Sequence, residues 1–211
     1  ELPEDDAVGN NKSSVTTHVY PKDPLEASIS QSFESSSSLP DYWFADDVNS
    51  ATWIIASGTV YSPSCTAHSG NAMLDFQCYA STDNVKLTSP WLSLPYNKYK
   101  VSFWLYRDAT SWSSDQADLV NVRVNSQPDI TGSVLAGTVN RSTTLEPTVT
   151  DEGWYHYSFI ADCSNLTSGF VILEGVSTGS YSNIYIDDLS IEGIPPYDAA
   201  ITNIVEPADS I

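Results

Sequence analysis

Asp187 and Asp188 are the residues whose placement in this chain most demands chemistry. They stand in the middle of 183–193, Asn-Ile-Tyr-Ile-Asp-Asp-Leu-Ser-Ile-Glu-Gly. Ile184 and Ile186 share one face of a strand, whereas Leu189 and Ile191 fall on the opposite parity, so the side-chain phase flips across the two aspartates. One inserted residue, a β-bulge, repairs the phase. Whichever way it is placed, one aspartate continues an apolar face and is aimed inward. An isolated carboxylate there is costly unless it is paired or bound to a cation. The competing reading is a solvent-exposed acidic bend at a strand end, and the phase flip favours the cation.

Other constellations carry less. Asp115 and Asp118 flank a loop before an apolar strand, where a second cation site competes with a solvated loop, and the loop is the favoured reading. Trp104, Tyr106 and Trp112 fall on an exposed face and form a candidate sugar-stacking platform, because an aromatic face binds the apolar patch of a pyranose. Packing against loops or a second layer is the favoured alternative. His18, His68 and His156 are the histidines, and His68 reads as a turn residue entering a strand. Neither H-E-x-x-H nor C-x-x-C occurs. A hydrolase would have to assemble a Ser/His/Asp set or paired carboxylates in space, so the expectation is a chain that is not an enzyme.

The elements that position these residues are strands. Residues 52–56, 72–79, 99–106, 119–125, 133–139 and 154–161 alternate or run apolar over strand lengths. Pro90 breaks 85–94 into a short strand and an edge. Residues 169–175 read as a central strand, and no amphipathic helix is found. Nine to eleven short strands predict an all-β fold, an antiparallel β-sandwich of two sheets. Residues 1–29 are acidic and polar and read as a tail or linker, with the domain at 30–194. Pro195 and Pro196 mark a boundary, and 195–211 reads as a linker and the first strand of a truncated following β domain.

Composition narrows the partners. With 27 acidic and 8 basic residues the formal net charge is −19, which repels phosphate backbones and anionic lipid and suits hard cations. Nucleic acid and membrane insertion are excluded as expectations, and no run is long enough to span a bilayer. A first residue other than Met is read as the mark of a processed or excised piece. Abundant Ser, Thr, Asn and Tyr with scarce Lys and Arg, and N-x-Ser/Thr triplets at Asn11, Asn140 and Asn165, point to a secreted or cell-surface chain. Cys65, Cys78 and Cys163 allow three single bridges with one thiol left over, and at least one is expected to be a free buried thiol.

An ordered set of stretches then resembles the MAM-like and cleaved-adhesin domains, gingipain adhesins among them. These are Ser32-Phe33-Glu34, Trp53, His68-Ser69-Gly70-Asn71, Leu92-Ser93-Leu94, Val101-Ser102-Phe103-Trp104, Trp154-Tyr155 and Ile186-Asp187-Asp188-Leu189. The resemblance spans about 30–193, and the 198–207 tail resembles the opening of an immunoglobulin-like repeat. It implies a jelly-roll module of a secreted or surface protein, with an adhesive or ligand-binding role toward an extracellular protein or glycan. It also implies a structural calcium ion held by Glu34 and by Asp187 or Asp188, with Asp46 or Asp47 from the following loop. The family's glycine- and aspartate-rich loop is replaced here by Ala45-Asp46-Asp47-Val48-Asn49.

Overall fold

The computed structural model describes residues 17–34, 37–48, 51–59, 62–78, 84–109, 117–177 and 182–196, the side chains of Cys78 and Ser182 excepted. Trp112, Asp115, Asn11 and the expected strand within 195–211 lie outside the described residues. Thirteen strands are present among them: β1 Leu25–Glu26, β2 Ser28–Gln31, β3 Phe44–Ala45, β4 Thr52–Ala56, β5 Met73–Cys78, β6 Asn84–Thr88, β7 Leu92–Ser93, β8 Lys98–Arg107, β9 Leu119–Asn125, β10 Val134–Asn140, β11 Gly153–Asp162, β12 Ser168–Val176 and β13 Ser182–Ile194. Alternation placed most of them to within a residue or two. Pro90 separates β6 from β7 as expected of a residue that cannot donate to a ladder.

They form two sheets. One runs β11-β8-β13-β5-β4, with β2 also on β13; the other runs β1-β7-β12-β6-β3, with β9 on β12 and β10 on β9. All pairings are antiparallel except β1 with β7, so the architecture is the expected sandwich of jelly-roll type. Residues 25–31, most of them placed in the tail from sequence, supply β1 and β2 to the sheets.

The core lies between the sheets. Val101, Phe103 and Leu105 of β8 and Ile184, Ile186, Leu189 and Ile191 of β13 face Val120, Val122 and Val124 of β9 and Leu173 of β12. Trp53 fills one end, stacks at a tilt on Phe76 at 5.0 Å, and donates its indole N–H to Val85 O at 3.0 Å. Arg107 is fully buried at the end of β8, and its guanidinium donates to the carbonyls of Arg141, Ser142, Leu145 and Pro147 and to the Tyr157 hydroxyl. It fixes the 141–147 loop with the five-donor fork that only arginine has.

One feature of β13 governs the site. It pairs with β8 along one side, but on the other side its first part pairs with β5 (Ser182–Tyr185) and its later part with β2 (Leu189–Glu192). The change of partner falls at 186–188, and the ladder to β8 breaks register between Asp187 and Ser190. The bulge read from the phase flip is therefore the point where one strand serves two neighbours in turn.

Candidate functional site: a carboxylate clasp

Where β2 ends and β5 begins, backbone donors lose their strand partners, and side-chain carboxylates take over. The turn 68–72 leads into β5 at this junction. Asp187 Oδ2 accepts from Ser69 N–H at 3.0 Å, and its Oδ1 accepts from Asp188 N–H at 2.8 Å. Asp188 Oδ1 accepts from the Ser69 hydroxyl at 2.8 Å, and its Oδ2 lies 2.7 Å from His68 Nδ1. From the far side Glu34 accepts from Asn71 N–H at 2.9 and 3.0 Å and from Ala72 N–H at 2.7 Å. Three carboxylates from the two ends of the domain thus grip one five-residue turn.

Local backbone aims them. Asp188 has φ 49°, a left-handed conformation that Asp tolerates better than most residues, and this is the extra residue of the bulge. Phe33 also has a positive φ, 61°, and its ring is 1% exposed in the core. Core packing of Phe33 holds a strained backbone that turns Glu34 toward the loop. Gly70 lies against Glu34: its φ is +61°, and a Cβ there would lie 2.4 Å from Glu34 Cδ. Gly70→Ala is therefore expected to lower the melting temperature more than Gly132→Ala. Gly132 has φ +75° and open space around it, so it carries only the backbone strain, about 1 kcal/mol. Equal shifts in thermal melts would show that Glu34 yields freely.

Asp187 is fully buried, but not in the core between the sheets. It pairs with Trp104 across β8, so it shares the outer face of that sheet and is buried by the 68–72 turn lying over it. The inward carboxylate expected from parity is thus enclosed by a loop. Burial pushes its carboxyl above the ordinary range, the amide hydrogen bonds of Ser69 and Asp188 pull it back, and the charge of Asp188 pushes it up again. Neither aspartate has a Lys or Arg partner among the described residues.

The aromatics hold the same turn down. His68 stacks on Trp104 with centroids 3.9 Å apart and planes at 16°. Trp154 meets His68 edge-on and donates its indole N–H to Thr66 O at 3.0 Å, while Tyr106 packs edge-on against Trp154. Trp104 and Tyr106, the candidates for sugar stacking, take part in this packing, the favoured alternative, with one face of Trp104 covered by His68. His156 completes the cluster, edge-on to Trp104 at 5.4 Å.

Ligand atoms of His68, Asp187 and Asp188 lie within 4.8 Å of one another, so a divalent cation has a donor group here. Each carboxylate oxygen that accepts one hydrogen bond keeps a further lone pair. The cluster does not have the geometry of a hydrolytic triad. The Ser69 hydroxyl donates to Asp188 and not to His68, so the imidazole is not placed to take its proton. The other sequence-derived ligands are elsewhere. Asp46 follows β3 on the opposite sheet and pairs with Lys86 at 2.7 Å, and Asp47 is exposed. Asp118 does not sit on a solvated loop; it is buried beside Arg141 at 3.8 Å, with Asp108 at 3.6 Å from the same guanidinium. Cys65 and Cys163 are free thiols, and Cys163 is buried.

Sequence reasoning did not assign His68 and Ser69 as partners of the aspartates. Nothing local encodes a contact 120 residues away. Arg107 was legible in principle, since it continues the parity of Val101, Phe103 and Leu105 and so points inward.

Beside the clasp, Asp75, Gln77, Asn183 and Tyr185 pair across β5 and β13 and are buried on the same outer face. Asp75 Oδ2 accepts from Gln77 Nε2 at 2.8 Å and Asn183 Nδ2 at 3.1 Å, while its Oδ1 and the Asn183 Oδ1 have no hydrogen-bond partner among the described residues. Burial pushes the Asp75 carboxyl up to about 7 against these two hydrogen bonds. The thiol of Cys65 is pushed up to about 12 by burial and then by the charges of Asp75 and Asp108.

No family model matches the sequence, and neither does any curated protein. Solved structures do. The K1 cleaved-adhesin domain of Lys-gingipain from Porphyromonas gingivalis W83 superposes with a TM-score of 0.59 at 17% identity, over 80% of this chain and 99% of that one. The fold is that of a cleaved-adhesin domain. The K3 cleaved-adhesin domain of the same protein gives 0.57 at 17% identity, over 79% of this chain and 97% of that one. TmCBM61, solved with β-1,4-galactotriose, gives 0.51 at 16% identity, over 77% and 94%. The cleaved-adhesin fold is thus shared with a carbohydrate-binding module.

Proposed function

We propose that this cleaved-adhesin-like domain is a non-catalytic, extracellular adhesion or ligand-binding module, secreted or at a cell surface, whose two ends are clasped by calcium. The observation that carries the reading is the convergence of Glu34, Asp187 and Asp188 on the 68–72 turn, where the most chemically suggestive residues of the chain serve the architecture. The donor chemistry fits a hard cation. Asp187 is a fully buried carboxylate whose ionised form is disfavoured by desolvation, and a second carboxylate adjoins it without a cationic side chain from Lys or Arg. Asp187 and Asp188 would hold the ion, with Glu34 bracing the turn from behind; calcium supplies charge neutralisation there and no reaction.

A binding role is supported by the fold neighbours, which are adhesin domains and a module solved with a galactose trisaccharide. The ligand class is accordingly a glycan or an extracellular protein. Thermal melting tests the clasp. Removing divalent metal with a chelator is expected to lower the midpoint by about 5 °C or more, since a ligand at a hundred times its Kd stabilises by about 2.7 kcal/mol. Restored calcium should return it, and an unchanged midpoint would refute the calcium reading.

A further inference from the structure

A second region of the molecule has the makings of a ligand site, at the rim of the other sheet. A cleft of about 500 Å³ lies between the turn that follows β9 and the turn that precedes β12. Its lining includes the aromatics Tyr20, Trp91 and Phe170 and the amides Gln127 and Asn165. Tyr20 comes from the segment ahead of β1, meets Phe170 edge-on at 5.5 Å and is 36% exposed.

The turns on either side are hydrogen-bonded in place. Asn125 Nδ2 donates to the carbonyls of Asp129 at 2.6 Å and Thr131 at 3.0 Å, which closes the turn carrying Gln127. Leu166 N–H donates to Cys163 O and Leu94 N–H to Thr167 O, both at 2.9 Å, which fixes the turn carrying Asn165. The side chains of Trp91, Gln127 and Asn165 make no hydrogen bond to the described residues. Their donors and acceptors are thus available to a ligand without breaking anything.

The charge pattern identifies the ligand. The chain has a net charge of −19, yet no residue lining this cleft is charged. Three other clefts each carry charge, from Glu26 and Glu192, from Asp41 and from Lys98. An uncharged ligand that presents an apolar face to aromatics and hydroxyls to amides is a sugar ring, and the cleft volume lies in the ~300–1,000 Å³ range of small-molecule sites. We infer that a short neutral saccharide binds in this cleft, on Trp91 and Tyr20, with Gln127 and Asn165 reading its hydroxyls. The inference rests on the binding-module reading and gives it a location other than the Trp104 face.

The test is a glycan array carrying neutral, sialylated and sulfated oligosaccharides, probed in calcium with protein from a bacterial host, so that the Asn165 triplet stays bare. Wild type is expected to retain neutral glycans and to reject the anionic ones. Trp91→Ala should weaken retention by about tenfold or more, as loss of a central aromatic anchor does, and exposed Gln127→Ala and Asn165→Ala should weaken it several-fold. Tyr42→Ala, an exposed aromatic outside the cleft, should leave it unchanged. If Trp91→Ala does not fold, the two surface amide variants decide the matter. Full retention by the cleft variants would overturn this location while leaving a glycan-binding module. Retention of anionic glycans alone, or of none, would overturn the saccharide inference and leave the module a binder of another ligand.

Discussion

Asp187→Ala is expected to lower the melting temperature by about 10 °C, while Asp47→Ala leaves it within about 1 °C. The difference follows from burial and from what each carboxylate holds. Asp187 is fully buried and accepts the backbone amides of Ser69 and Asp188, whereas Asp47 is exposed. Truncation strands two amides at the strand junction at about 1–3 kcal/mol each, and removes a ligand of the proposed ion as well. Asp187→Asn is the finer probe. It keeps the shape and one acceptor oxygen, so it should fall between wild type and alanine. Differential scanning calorimetry on the variants measures this directly. Equal shifts for Asp187→Ala and Asp47→Ala would mean that the junction is held by the ladders alone.

Asp75→Asn should act in the opposite direction and depend on pH. The Asp75 carboxyl has a folded-state pKa of about 7 against an ordinary value of 3.8. Between these values the folded protein keeps a proton that the unfolded chain has lost. Stability from this group is therefore fully present below about pH 4, falls as pH rises, and is gone above about pH 7. The rise from 3.8 to about 7 corresponds to about 4 kcal/mol. The amide cannot ionise, so the variant should melt about 10 °C above wild type at pH 8 and close to it at pH 4. The groups around Asp75 are neutral or anionic: Gln77, Asn183, Tyr185 and the thiol of Cys65. None supplies a positive charge to offset its ionisation. A stability difference that does not change with pH would show that Asp75 is ionised throughout.

Periodicity carried most of the fold. Strands β4, β5, β8, β9 and β11 were legible because their apolar residues alternate against polar ones, and the bulge because Ile186 and Leu189 disagree in parity. Two things were not legible, for one physical reason. Alternation does not say what covers the outer face of a sheet: it favoured packing over a sugar platform for Trp104 and Tyr106 without naming the cover, and it did not single out Asp75 or Gln77. In the structure the 66–72 segment, a stretch without periodicity, folds back over part of that face and the polar residues beside it are buried. The loop's destination depends on contacts with residues about 120 positions away, and no local pattern records it. Asp46 shows the converse. The resemblance implies it as a calcium ligand, but the sandwich puts it on the opposite sheet, where it pairs with Lys86.

Calorimetric titration of calcium into the metal-stripped chain tests the clasp most directly, with Asp187→Asn and Asp47→Asn run beside wild type. The clasp predicts a single saturable site in wild type and in Asp47→Asn, and its loss in Asp187→Asn while that variant remains folded. Absence of calcium binding to wild type, or the same affinity in Asp187→Asn, would contradict it.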